Sequence, residues 1–218
     1  MSIYGDGIAR VSDVLDSWKD GEGLIEWAVS LGWDYKNVKQ HAADVGTYTH
    51  DLVEHSIRSC MDASANVEGW MNLVKSAGEL INDIPHSMRD EVRCSSHAWM
   101  DWVQDKIIEP EYLEESMVNR TLMVGGTPDY IGKVNGDRVL IDWKTSKRIM
   151  VKHKVQLAAY WLMHDALRPD EPIKFAGVVR LDKRMGVYET MWWQDLSKEK
   201  AFFVALATAY HMGKALEL

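Results

Sequence analysis

The chain has 218 residues, a net charge of −8 and a pI near 5.5, a length that suits one domain or one core with a helical annex. The acid excess excludes a generic basic coat for nucleic acid, yet permits an enzyme whose basic residues gather around one site. No apolar run reaches the roughly 18 residues of a membrane span, and the early acids of "MSIYGDGIARVSDVLDSW" argue against a secretory signal, so a cytoplasmic protein is expected.

The first half reads as helical. Ser12 is placed to cap "DVLDSWK", and "GLIEWAVSLGW" carries apolar residues at helical spacing. A stronger helix follows in "NVKQHAADVGTYTHDLVEHSIRSCM", where His50 and Glu54 lie four apart and share a face. Residues 67–81 and 86–106 are further helix candidates. Near Pro110 the character changes: "EYLEESMV" alternates like a strand. "GTPDYIGKVNGDRVLIDWKTSK" then reads as a β-hairpin around Asn135-Gly136, because both positions of such a turn need φ > 0. "HKVQLAAYWLMHDAL" returns to helical periodicity, "IKFAGVVRL" and "VYETMWW" form a strand pair joined by "DKRMG", and Ser197 is placed to cap a closing helix. This order predicts an α/β sheet core over 110–218 preceded by a mainly helical segment over 1–109, in a single domain over 1–218 with no separating linker.

The hairpin poses a chemical problem. An aspartate sits in each arm, Asp129 and Asp142, and Lys144 follows the second by two positions, on the same strand face. A lone D-x-K tripeptide is most simply a solvated salt bridge. Here Leu140 shares the face of Asp142 while Ile141 and Trp143 occupy the other, so the strand is expected to be covered on both sides and the charged group needs a reason. Carboxylates of this kind suit a hard cation, Mg²⁺ or Mn²⁺, and a lysine beside them can orient or deprotonate a water or stabilise charge developing on phosphorus.

"GTPDY…VLIDWKTS" resembles the PD-(D/E)xK nuclease signature, with Pro128-Asp129 intact and Asp142-Trp143-Lys144 as its second half. Gln156 and Tyr160 match the QxxxY helix of the RecB-like and phage-exonuclease branch. Gly46, His50 and Glu54 in "GTYTHDLVE" resemble that branch's upstream helix motif. The resemblance covers roughly residues 40–165, in the family's order. It implies a restriction-endonuclease-like αβββαβ core, a mixed sheet flanked by helices, and divalent-metal-dependent cleavage of DNA. By the motif, Asp129, Asp142 and the Trp143 backbone carbonyl are expected as metal ligands, and Lys144 positions or activates the nucleophilic water. His50 is a further metal ligand or phosphate contact, against the plainer reading of a core histidine. A further acid belongs on the preceding strand. Leu113 and Met117 turn the face of Glu115 inward, so Glu115 is expected at the site rather than Glu114. Gln156 and Tyr160 either pack their helix on the sheet or border the site and contact DNA, the role the family suggests.

Between Lys144 and Lys154, "KTSKRIMVKHK" holds five Lys or Arg and no acid. Placed between the catalytic strand and the QxxxY helix, Lys147, Arg148, Lys152 and Lys154 are expected phosphate contacts that focus a polyanion toward the metal cluster. Trp70, Trp99 and Trp102 are more simply core, with stacking on unpaired bases as the functional alternative. Cys60 and Cys94 cannot supply the four thiolates of the branch's iron–sulfur members, so no cluster is expected. The leading expectation is a DNA exonuclease in recombination, repair or phage DNA processing. An endonuclease with the same site and a non-catalytic DNA-binding or assembly protein are the rivals. A homo-oligomer or a recombination or single-strand-binding partner does not follow from these residues.

Overall fold

The computed structural model describes residues 4, 5, 7–18, 34–62 and 80–216. The expected helix at 23–33, most of that at 67–81, and Trp70 lie outside these residues. Among the described residues the order is β1 (Ala9–Arg10), α1 (Val11–Ser17), α2 (Tyr35–Asp62), α3 (His86–Val103), β2 (Ile108–Leu113), β3 (Met117–Asn119) and β4 (Val124–Gly126). Then come β5 (Tyr130–Val134), β6 (Asp137–Lys144), α4 (Val151–Leu167), β7 (Phe175–Leu181), β8 (Tyr188–Trp193) and α5 (Ser197–Leu216). No helix among them is long and apolar enough to cross a membrane.

Five strands form one mixed sheet in the order β2-β5-β6-β7-β8, with β6 and β7 parallel and the other neighbours antiparallel. The parallel pair requires a crossover, and α4 supplies it. The sheet is a middle layer. On one side Leu140, Ala176 and Val178 pack against α1, α4 and α5 through Val14, Leu157, Ala158 and Phe203. On the other, Ile141, Trp143 and Val179 pack against Val53 and Ile57 of α2 and Trp99 and Trp102 of α3. β6 is thus covered on both faces, as its sequence predicts. Trp99 and Trp102 are each 1% exposed, and Trp102 meets Trp143 edge-on at 5.1 Å between ring centroids. Their place is the core, so the base-stacking alternative does not apply to them.

The hairpin forms as read. Asn135 and Gly136 take φ of 52° and 86°, the left-handed values that a two-residue turn between twisted strands demands. Other boundaries differ from the sequence reading. Arg10 holds the N-cap position of α1 without a side-chain cap, and Ser12 lies inside the helix. The N–H of Ser197 is received by the Asp195 carboxylate at 2.8 Å. The alternating run "EYLEESMV" is not one strand: it breaks between β2 and β3 at Glu114, whose φ is +51°. Nor does the first hairpin arm run back to Gly126. β4 belongs to a second, three-stranded sheet, β1-β4-β3, and Thr127, Pro128 and Asp129 cross from it to the larger one. Asp129 therefore stands at the crossing, just ahead of β5.

Candidate active site

Pairing between β5 and β6 ends at Tyr130 opposite Ile141, so the N–H of Trp143 has no partner on the β5 backbone. The side chain of Asp129 supplies one: its Oδ2 accepts that N–H at 2.7 Å. A backbone donor in need of an acceptor thus fixes the carboxylate, because an unpaired buried N–H is costly. The other oxygen, Oδ1, lies 3.4 Å from Nδ1 of His50 on α2. From β6, Asp142 projects on the opposite face to Trp143 and is 1% exposed. Lys144, two residues on, donates from Nζ to Asp142 Oδ1 at 2.7 Å. Its ammonium lies equally near the buried Oδ2, at 2.7 Å, so the ion pair spans both carboxylate oxygens.

Glu114 completes the group. Its carboxylate, Asp129 and the His50 ring each offer one ligand atom, all within 4.8 Å of one another. This corrects the expectation for Glu115. At φ +51° Glu114 leaves the strand alternation and turns inward, while Glu115 points away and pairs with Arg168. No Gly, Asn or Pro marks that bend in the sequence, so periodicity alone favours the wrong neighbour.

Burial and crowding set the charges of these groups. Burial, and then the neighbouring Asp129 charge, push the Glu114 carboxyl up to about 8. Burial pushes Asp142 up too, against the pull of Lys144. Burial opposes ionisation of Asp129 as well, but the His50 charge and hydrogen bond, Lys144 and the Trp143 N–H outweigh it and hold the carboxyl low. Burial works against a charged His50, yet Asp129 raises it overall. Lys144 is kept an ammonium despite burial by the Asp142 and Asp129 charges. Three carboxyl groups crowd one ammonium and one imidazole, and one of the three is held protonated. The hard oxygen ligands and one imidazole nitrogen that converge here fit a divalent cation such as Mg²⁺ or Mn²⁺.

The cluster opens into a cleft of about 1190 Å³ between α2 and the loops at the C-terminal ends of β6 and β7. Gly46, His50 and Glu54 recur every four residues and line it along one face of α2. Lys147 lines the opposite rim and is exposed, as is Arg148 beyond it. The other two expected phosphate contacts are placed elsewhere. Lys152 pairs with Asp16 of α1, and Lys154 pairs with Glu199 of α5 at 2.8 Å and lies over the Trp193 ring. Acids distant in sequence have taken them. Instead the β7–β8 turn brings Lys183 and Arg184 to the cleft, residues the sequence reading passed over as part of a joining turn. Glu91 of α3 binds Lys183 at 2.7 Å and His41 of α2 at 3.3 Å, tying both helices to that turn. On α4, Gln156 donates to the Tyr160 hydroxyl at 3.0 Å. Burial first, and the Asp142 charge next, raise that phenol. Its ring lies over Gly126, where an added Cβ would sit 2.6 Å from Tyr160 Cε1, so a residue without a side chain is needed.

The model of the PD-(D/E)XK nuclease superfamily matches residues 22–207. The chain belongs to that superfamily. The five-stranded mixed sheet with α4 crossing from β6 to β7 is its restriction-endonuclease-like core. A search of curated proteins finds no match. Among solved structures, "LHK-Exo in complex with dAMP" is 16% identical, with 75% of this chain and 87% of that one covered and a TM-score of 0.43. The alkaline exonuclease LHK-Exo from Laribacter hongkongensis is also 16% identical, with 74% and 91% covered and a TM-score of 0.35. SSO0001 is 14% identical, with 75% and 74% covered and a TM-score of 0.35.

Proposed function

We propose that the protein is a divalent-metal-dependent DNA exonuclease of the RecB-like branch, hydrolysing phosphodiester bonds at DNA ends during recombination, repair or phage DNA processing. The observation that carries the reading is the convergence of Asp129, Lys144, His50 and Glu114 on the wall of one cleft, with Asp142 buried behind Lys144 and bonded to it. The carboxylates of Asp129, Asp142 and Glu114, with His50 and the Trp143 carbonyl, would hold Mg²⁺ or Mn²⁺. When bound, such an ion polarises the phosphodiester and offsets its charge.

The chain's own residues do the rest. Asp142 holds the Lys144 ammonium in place, and Lys144 donates a hydrogen bond to the attacking water or to the phosphoryl oxygen on which charge develops. The water oxygen bonds to phosphorus and its proton passes to solvent, while the bond to the leaving sugar oxygen breaks and that oxygen takes a proton from solvent. Lys147, Arg148 and Arg184 meet the flanking phosphates as positive charges. Gln156 and Tyr160 border the site and bear on the strand held there. The link from Glu91 to His41 and Lys183 supports end-dependent entry, since it joins helices and sheet along one side of the cleft.

Labelled linear duplexes and single strands, with covalently closed circles beside them, test the reading with Mg²⁺, Mn²⁺ or EDTA. Degradation of linear DNA alone, lost in EDTA and in Asp142→Asn, is expected. Cutting of closed circles would convert the reading to an endonuclease, and no cleavage of any form with Mn²⁺ would end it.

A further inference from the structure

We propose that Arg168 is a positioning residue for Glu114, acting through Glu115; the inference rests on the reading of Glu114 as a metal ligand. Glu114 stands at φ +51°, a left-handed conformation that L-residues adopt only at a cost. A strained bend bearing a ligand keeps its geometry only if its surroundings hold it, and three contacts from three elements do so. On one side Arg58 of α2 donates to the carbonyl of Leu113 at 3.3 Å, itself held by Glu54 at 2.7 Å. At the bend the Glu114 N–H donates to the Asp129 carbonyl at 3.3 Å. On the other side the Glu115 carboxylate is gripped by Arg168. The chain is thus clamped before, at and after the residue that turns inward.

Arg168 is a firm anchor. It caps the C-terminus of α4, the helix of Gln156 and Tyr160, with its N–H on the His164 carbonyl at 2.8 Å. Its guanidinium stacks on the Tyr112 ring at 3.8 Å. The Tyr112 hydroxyl donates to Glu171 at 2.9 Å, and the Glu171 N–H returns to the Arg168 carbonyl at 3.1 Å. The Arg168 side chain is 19% exposed, while that of Glu115 is 46% exposed. A pair so open to water adds little to overall stability. What it fixes is direction: with Glu115 held outward by Arg168, the preceding carboxylate is directed to His50 and Asp129.

The test is Mn²⁺ affinity, read from the electron paramagnetic resonance of free Mn²⁺, with thermal midpoints in EDTA beside it. The variants are Arg168→Met, Arg168→Lys, Glu115→Gln, the double Arg168→Met/Glu115→Gln, and Glu114→Gln as reference. Loss of a group that supports a metal ligand weakens binding by about 10- to 100-fold. Arg168→Met and Glu115→Gln are each expected to weaken Mn²⁺ about tenfold, and the double no more than either alone. Arg168→Lys should recover part of the loss, with the midpoints in EDTA little changed. Unchanged Mn²⁺ affinity in Arg168→Met, where Glu114→Gln loses it, overturns the role of Arg168 alone, as does additivity in the double variant. If Glu114→Gln binds Mn²⁺ as tightly as the wild type, Glu114 is no ligand and both readings fall.

Discussion

Replacing Glu114 with glutamine should make the metal-free protein more stable and its metal site worse, with a defined pH dependence. The Glu114 carboxyl is raised from 4.5 to about 8 by burial and by Asp129. At about 1.4 kcal/mol per pH unit, the full effect would be about 5 kcal/mol. Glu114 is only partly buried, so solvent screening reduces the expected value to about 2 kcal/mol. The sign follows from proton linkage. Below pH 4.5 the acid is protonated folded and unfolded, and its contribution is fully present. As pH rises toward 8 the unfolded chain releases its proton first, and stability is lost through the folded-state value. Glutamine does not titrate and keeps the same backbone conformation. The variant should therefore match the wild type near pH 4.5 and exceed it by about 2 kcal/mol at pH 9, or about 4–8 °C in melting temperature for a chain of this length. The assay is thermal or urea unfolding in EDTA across that range, repeated with Mn²⁺, where the wild type should regain the advantage through ligand binding. A gap that does not change with pH, or a less stable variant at pH 9, would refute the assignment of Glu114 to a site poor in positive charge.

Other outcomes follow from the same contacts. Lys144→Met leaves Asp142 buried without its cation and should cost about 3–5 kcal/mol; adding Asp142→Asn should restore most of it in urea unfolding, while both variants lack cleavage. Trp102→Ala opens the core beneath Trp143 and should cost about 3–5 kcal/mol, read as a fall in the unfolding midpoint. Lys147→Ala with Arg184→Ala should weaken binding of single-stranded DNA and lower the slope of log affinity against log salt by about 1.4, with turnover at saturating DNA nearly unchanged.

Much of the site is legible in the chain because strand and helix periodicity are local. Asn135-Gly136 specifies its turn through the left-handed φ both residues adopt. That turn brings Asp129 near the strand of Asp142 and Lys144, and alternation puts the latter two on one face. His50 and Glu54 share a helix face for the same reason of spacing. Tertiary structure alone decides the remainder. Glu114 replaces Glu115 because contacts from Arg58, Asp129 and Arg168 hold a bend that no turn residue announces. Lys152 and Lys154 are drawn off by Asp16 and Glu199, more than a hundred and more than forty residues away, beyond the reach of any local sequence window. Lys183 and Arg184 reach the cleft because β6 and β7 run parallel and so end on the same side of the sheet. Periodicity fixes which way a side chain leaves a regular element; which charge it meets depends on residues that only folding brings near.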